Sequence, residues 1–180
     1  MILFHADTSV RLPGELFIFS QSYFQEKIIP AAVHLVLIDI ADLQEMNSHG
    51  FKCTSLDGKM EPSERDRVVR EFRDGLTKIL ISTDVLSRGF DVTQVTLVVN
   101  FDLPVDRQGA PAYETYMHRI GRSGRFGRKG AAFNFCCDRN DHQILQAISQ
   151  YFNHPIPDVD FSDEDRFIAV LQEAGLCDTG

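Results

Sequence analysis

Lys78-Ile79-Leu80-Ile81-Ser82 runs directly into Thr83-Asp84-Val85-Leu86-Ser87-Arg88-Gly89-Phe90-Asp91. The first segment has an unbroken apolar centre with no polar alternation. That is the pattern of a strand buried on both faces, as in parallel sheets covered by helices. The second segment is a polar loop with a hydroxyl, two carboxylates, a guanidinium and a glycine. In open parallel sheets, ligands gather at the loops leaving the carboxyl ends of strands. One strand and its exit loop therefore suggest both a fold class and a first place to look for a site.

The same grammar extends outward. Val95 to Phe101 reads as a second buried strand, carried by Val95, Leu97, Val98 and Val99. Upstream, Phe51 to Leu56 reads as a strand and Asp57-Gly58 as a turn. Glu61-Pro62-Ser63-Glu64 then places proline and acids where a helix begins. Val68, Val69 and Phe72 supply that helix's apolar face, and Gly75 stops it. Downstream, Pro104 to Pro111 is a loop and a helix follows through Tyr116 and His118. Ala131 to Cys136 is a strand. Asp138 caps a helix with Ile144, Leu145, Ile148, Tyr151 and Phe152 on one face. Pro155 and Pro157 break it, and Ser162 opens a last short helix closed by Gly175.

Nearer the start, Leu16 to Phe19 reads as a strand after a Pro-Gly turn, and Ile40 to Ser48 as a helix ending before Gly50. Tyr23 to Asp39 is apolar but fits neither period. Strands alternate with helices, so the expected fold is α/β, a parallel sheet with helices on both faces. The domain is expected over 14–180, with 1–13 as an extension or lead-in and 23–39 as an insertion.

A chain of 180 residues with 43% hydrophobic content suits one domain. Its formal charge of −8 argues against a surface that is basic all over. Any nucleic-acid contact must use a local patch, and Arg119, Arg122, Arg125, Arg128 and Lys129 offer one. The four cysteines lack CxxC spacing and histidine partners, and read as reduced thiols of an intracellular protein with no metal site. The start lacks a basic n-region, so no signal peptide is expected. The apolar run Ile28 to Ile38 falls well short of the ~20 residues a membrane span needs.

Two stretches carry chemistry. His118 to Arg125 reads His-Arg-Ile-Gly-Arg-Ser-Gly-Arg. Arg122 and Arg125 are three apart, so a helical turn or a tight bend points both the same way. Arginine keeps its charge, and its planar fork suits phosphate oxygens. Gly121 and Gly124 let the backbone approach a ligand. A pair of arginines aimed at a polyphosphate is one reading; a solvated basic turn is the other. In the first loop, Thr83 and nearby N–H groups can hold a nucleic-acid phosphate, and Asp91 can accept from a ribose hydroxyl. Alternatively, Asp84 caps the next turn and Arg88 pairs with Asp91.

Taken together, these segments resemble a known family. Thr83 to Asp91 resembles motif V of the DEAD-box RNA helicases, and His118 to Arg125 resembles their motif VI. Val95 to Pro104 resembles the segment joining the two, and Phe17-Ile18-Phe19-Ser20 resembles motif IV. The resemblance implies the second of two RecA-like lobes, with ATP and RNA bound across the cleft between them. It implies that Arg122 and Arg125 reach the γ-phosphate, one or both as arginine fingers, a role worth about 10³ to 10⁵ in rate. It places Gly89 and Asp91 at the nucleotide, and Gly58, Arg65, Thr83 and Asp84 at RNA. It has His118 couple the two sites. The loop Val105 to Thr115 and the tail from His142 resemble the subfamily that remodels mRNA–protein complexes at the cytoplasmic face of the nuclear pore. That implies a nuclear-export activator and inositol hexakisphosphate as partners, cytoplasm and nucleus as location, and no membrane.

The chain also departs from the family. It has no Gly-x-x-x-x-Gly-Lys-Thr loop, no Asp-Glu-Ala-Asp and no Ser-Ala-Thr. Those belong to the first lobe, which supplies the lysine, most of the Mg²⁺ site and the water-orienting acid. This chain alone is therefore expected not to hydrolyse ATP, whether as part of a longer protein or as a truncated product acting through another chain. Pro62 stands where the family usually has Gln. Besides the helicase half, two readings remain: a lone lobe that binds an activator or RNA without catalysis, and a lobe from another superfamily-2 branch, such as a DNA-acting one.

Overall fold

The computed structural model describes residues 2–7, 34–37, 53–56, 58–82, 95–125, 127, 129–136, 138–159, 164–173 and 175, with 2–7 and 34–37 described through their backbone pairing. Among the described residues, six strands form one sheet: β1 (Ile2–Asp7), β2 (His34–Leu37), β3 (Cys53–Leu56), β4 (Ile79–Ser82), β5 (Leu97–Asn100) and β6 (Ala131–Cys136). Their order across the sheet is β1-β6-β5-β2-β4-β3. Every pairing is parallel. All residues of β4 and β5 are buried. Successive side chains of a strand face opposite ways, so both faces of the sheet centre are covered. The expected α/β fold is what forms.

Two strands arise where none was read. The stretch 23–39, expected as an insertion, contributes β2 at the centre of the sheet. His34 to Leu37 pairs Leu97 to Asn100 on one side, and His34 to Val36 pairs Ile79 to Ile81 on the other. The physical reason is the one that identified β4: a short apolar run suits a strand with neighbours on both sides. Residues 1–13 were read as an extension or lead-in. Within them, Ile2–Asp7 forms the edge strand, in register with Ala131–Cys136. The strand expected at Leu16 to Phe19 and the helix expected at Ile40 to Ser48 lie outside the described residues.

Four helices accompany the sheet among the described residues: α1 (Pro62–Arg73), α2 (Tyr113–Ile120), α3 (Arg139–Tyr151) and α4 (Glu164–Glu173). Pro62 begins α1 as expected, with Glu64 in its first turn and Arg70 and Arg73 in its last. This distribution suits the helix dipole. Val68 and Phe72 are buried, and Gly75 ends the helix with φ of 74°. Asp138 caps α3 by accepting from the Asp141 N–H at 2.9 Å. Ile144, Leu145 and Ile148 are buried as expected. Tyr151, expected on the same buried face, is 64% exposed. It lies flat on Tyr113 of α2 instead, with ring centroids 4.0 Å apart. None of the described helices is long and apolar enough to cross a membrane.

The core brings Leu56, Val68 and Phe72 together with Leu80, Val98, Tyr116, Ile120, Ala132 and Ile144. It thus joins α1, α2 and α3 to four of the strands. The segment 104–112 folds into a closed loop. Asp106 Oδ1 accepts from the N–H groups of Gln108 and Ala110, both at 2.9 Å. Val105 and Pro111 form an antiparallel bridge, and the Ala112 N–H donates to the Pro104 carbonyl at 2.9 Å.

Candidate nucleotide and RNA site

The arginine turn hangs from the end of α2. Tyr116, Arg119 and Ile120 form the buried side of this helix, and Met117 and His118 are exposed. The helix closes at Gly121, whose N–H donates to the Met117 carbonyl at 2.9 Å. A Cβ at Gly121 would stand 2.8 Å from that same oxygen, so this position needs glycine. The backbone then turns tightly. Arg122 N–H donates to the Arg119 carbonyl at 3.3 Å, and Ser123 N–H to the Ile120 carbonyl at 3.1 Å. The Ser123 hydroxyl donates to the Ile120 carbonyl as well, at 3.2 Å.

Gly124 follows with φ of 69°, in the left-handed region that suits glycine. Gly130 packs against it so closely that a Cβ there would lie 2.4 Å from the Gly124 nitrogen. The turn is thus pinned at both ends. Arg122 and Arg125 sit half-buried upon it. Arg125 Nε donates to the Gly121 carbonyl at 2.8 Å, which fixes the plane of the guanidinium. A tight bend thus lies between the two arginines.

A chain of buried polar groups joins α2 to the sheet. Asn100 Nδ2 donates to Asn134 Oδ1 at 2.8 Å, and Asn134 Nδ2 donates to the Tyr116 hydroxyl at 3.2 Å. Asn100 and Asn134 are paired across β5 and β6 and fully buried. Burial pushes the Tyr116 phenol up to about 12, and the Asn134 hydrogen bond opposes part of that rise. Burial likewise pushes the Cys53 thiol up to about 12. At neutral pH both groups are therefore protonated, and Cys53 is a poor nucleophile.

Arg119 corrects the sequence reading. It was assigned to a basic patch for nucleic acid, yet its side chain is only 6% exposed. Nη1 donates to the Asp102 carbonyl at 2.7 Å, and Nη2 lies 3.4 Å from the Asp102 carboxylate. A signal was available: Arg119 lies three residues after Tyr116, hence on the apolar side of α2. Lys129 is exposed. Arg128 lies outside the described residues.

The second cluster joins two expected RNA contacts. Gly58 follows β3 and is exposed, and Arg65 lies in the first turns of α1. Arg65 Nη2 donates to the Gly58 carbonyl at 3.4 Å, a long bond, and its buried Nε has no hydrogen-bond partner among the described residues. Thr83, Asp84, Gly89 and Asp91 lie outside the described residues. Among those described, no group of three or more His, Cys, Asp or Glu could hold a metal ion.

Residues 9–127 match the helicase conserved C-terminal domain family. The structure also superposes on a solved C-terminal domain of the DEAD-box protein Dbp5. The TM-score is 0.81 and the identity 31%, covering 96% of this chain and 97% of that one. The chain belongs to the DEAD-box helicase family.

Within that family it is the C-terminal RecA-like lobe. It is 48% identical over 129 residues to DEAD-box ATP-dependent RNA helicase 38 of Oryza sativa, covering 70% of this chain and 26% of the relative. It is 45% identical over 122 residues to ATP-dependent RNA helicase DDX19A of Bos taurus, covering 68% of this chain and 26% of the relative. The lobe thus spans about a quarter of the length of these relatives. Among solved structures, Saccharomyces cerevisiae Dbp5 bound to RNA and ADP BeF3 gives a TM-score of 0.84 at 32% identity, covering 96% of this chain and 45% of that one. A Dbp5 C-terminal domain bound to Gle1 and IP6 gives 0.82 at 30%, covering 97% and 98%. The match to a DEAD-box protein over nearly the whole lobe disposes of the DNA-acting branch as an alternative.

Proposed function

We propose that this lobe is the second half of an ATP-dependent RNA helicase that remodels RNA or RNA–protein complexes in mRNA export. Its working partners are RNA and an N-terminal RecA-like lobe, and its place is the nuclear pore and the adjoining cytoplasm and nucleus. The observation that carries this reading is the pinned arginine turn at 121–125 in a chain 45–48% identical to the named helicases. Arg122 and Arg125 meet the γ-phosphate of an ATP held across the cleft. Arg125 Nε is engaged by the Gly121 carbonyl, and the fork beyond it is the part that faces phosphate. Gly89 and Asp91 take the nucleotide, Asp91 accepting from the ribose. Gly58, Arg65, Thr83 and Asp84 take the RNA backbone, and His118, exposed at the end of α2, couples the two. Mg²⁺ is held mainly by the first lobe and travels with the nucleotide.

The test is RNA-stimulated ATP hydrolysis by this chain mixed with the first lobe of the Oryza sativa relative. The expected result is turnover in the mixture, none in either part alone, and a drop of about 10³-fold or more with Arg125→Ala. A folded mixture that stays silent would overturn the reading.

One observation favours a second role. The lobe covers 98% of a Dbp5 C-terminal domain bound to Gle1 and IP6 without a first lobe. A lone lobe can thus serve as a binding module for an export activator with inositol hexakisphosphate. Tight activator binding by this chain, with no ATPase rescue in the mixture, would select that role.

A further inference from the structure

We propose that Arg119 is a positioning residue, tying the turn that carries Arg122 and Arg125 to the exit of β5, and not a phosphate ligand. The proposal rests on the functional reading above for what the turn does, and on geometry alone for how it is held. The Arg119 side chain is 6% exposed, too little to meet a polyphosphate without leaving its place. Its fork is turned to Asp102, two residues beyond the end of β5, with 2.7 Å to the carbonyl and 3.4 Å to the carboxylate. Its own backbone carbonyl accepts from the Arg122 N–H, so the residue that grips the sheet also begins the turn.

A second tie lies one turn earlier on the same side of α2. There Tyr116 receives the Asn134 donor, and Asn134 in turn receives the Asn100 donor. Two polar attachments three residues apart fix both the rotation and the height of α2 against β5 and β6. An apolar side chain at 119 would fill the same volume, but it could not reach a carbonyl. A buried guanidinium is costly unless its hydrogen bonds are made. Keeping one here is accounted for by the link it forms.

The test reads the turn without any activity. Amide hydrogen exchange is followed on the whole chain, as wild type, Arg119→Met and Arg119→Lys. Methionine keeps much of the stem's packing and removes every donor; lysine keeps one donor for the Asp102 carbonyl. The expected result for Arg119→Met is at least tenfold faster exchange across 121–125, with β4 and β5 near wild-type rates. Arg119→Lys is expected to fall between. It also keeps the proposal testable should the methionine variant fail to fold. Wild-type exchange at 121–125 in either folded variant overturns the proposal, as does an equal acceleration across the sheet. In the two-lobe mixture, Arg119→Met is expected to lower kcat ten- to hundredfold with KM for ATP within threefold, since a misplaced turn loses transition-state contacts first. A wild-type mixture without turnover would sink the functional reading alone, because the exchange result stands on the chain by itself.

Discussion

Tyr116 has no accessible surface, yet its hydroxyl is the acceptor that ends the Asn100–Asn134 chain. Replacing it with phenylalanine leaves the Asn134 Nδ2 donor buried and without that acceptor, at a cost of about 1–3 kcal/mol. Urea unfolding at pH 7 measures this loss. The same residue sets an alkaline limit. The unfolded phenol loses its proton near 10, whereas the folded one holds it to about 12. Between those values the unfolded state binds fewer protons, so stability falls as pH rises; below 10 the contribution is fully present. Cys53 acts with the same sign from about 9 to about 12. The wild-type urea midpoint is therefore expected to decline above pH 9, and Tyr116→Phe to decline less steeply above 10. Parallel curves for the two proteins would show that Tyr116 does not titrate in this way.

The residue scale also shows what a sequence hides. Arg122 and Arg119 are written alike, and only the helical offset from Tyr116 separates an arginine on a turn from one buried against Asp102. That offset is readable from the helix expected through Tyr116 and His118, but not from the arginine-rich motif itself.

At the scale of elements, two glycines beside the arginine turn are needed for different reasons. Gly127 has φ of 76°, with no atom of the described residues within 4 Å of its Cβ position. Gly130 is outside the left-handed region, but its Cβ would collide with the backbone of Gly124. Gly127→Ala is thus expected to cost about 1 kcal/mol through left-handed backbone strain alone. Gly130→Ala must push backbone aside, costing about 1–3 kcal/mol, and it moves the segment that carries Arg122 and Arg125. Thermal unfolding should rank Gly130→Ala as the more damaging. In the two-lobe assay only Gly130→Ala should depress kcat per folded molecule. Equal effects on turnover would mean that the Gly124–Gly130 contact does not shape the site.

Elements were legible where punctuation bounded them. Asp138 and its cap placed the start of α3, Pro62 and Gly75 bracketed α1, and the clean apolar centre of 78–82 revealed β4. β2 escaped because His34 to Leu37 sits inside a longer apolar stretch with no turn residue beside it to mark a boundary. β1 escaped because one short run at the start of a chain does not say which strand it will pair. Its partner, β6, lies more than a hundred residues away.

For the whole molecule, the net charge of −8 limits how RNA can be held. A chain with this balance repels a polyanion at long range, so the proposed RNA binding would have to come from a few local contacts. Of the proposed RNA contacts, Gly58 and Thr83 offer neutral groups and Asp84 a carboxylate; Arg65 is the one cation. Its 3.4 Å bond to the Gly58 carbonyl is long enough to be exchanged for a phosphate oxygen at little cost. Each phosphate neutralised on a single strand contributes about −0.7 to the slope of log K against log salt. Arg65→Gln in the two-lobe mixture should therefore weaken binding of a single-stranded RNA in the presence of a non-hydrolysable ATP analogue. It should also flatten that slope by about 0.7, with equal effect on RNAs of unrelated sequence, since backbone contacts carry no base information. Anisotropy titrations at four or more salt concentrations measure both quantities. A slope unchanged by Arg65→Gln would place the phosphate contact elsewhere. A loss confined to one RNA sequence would mean that this residue reads bases.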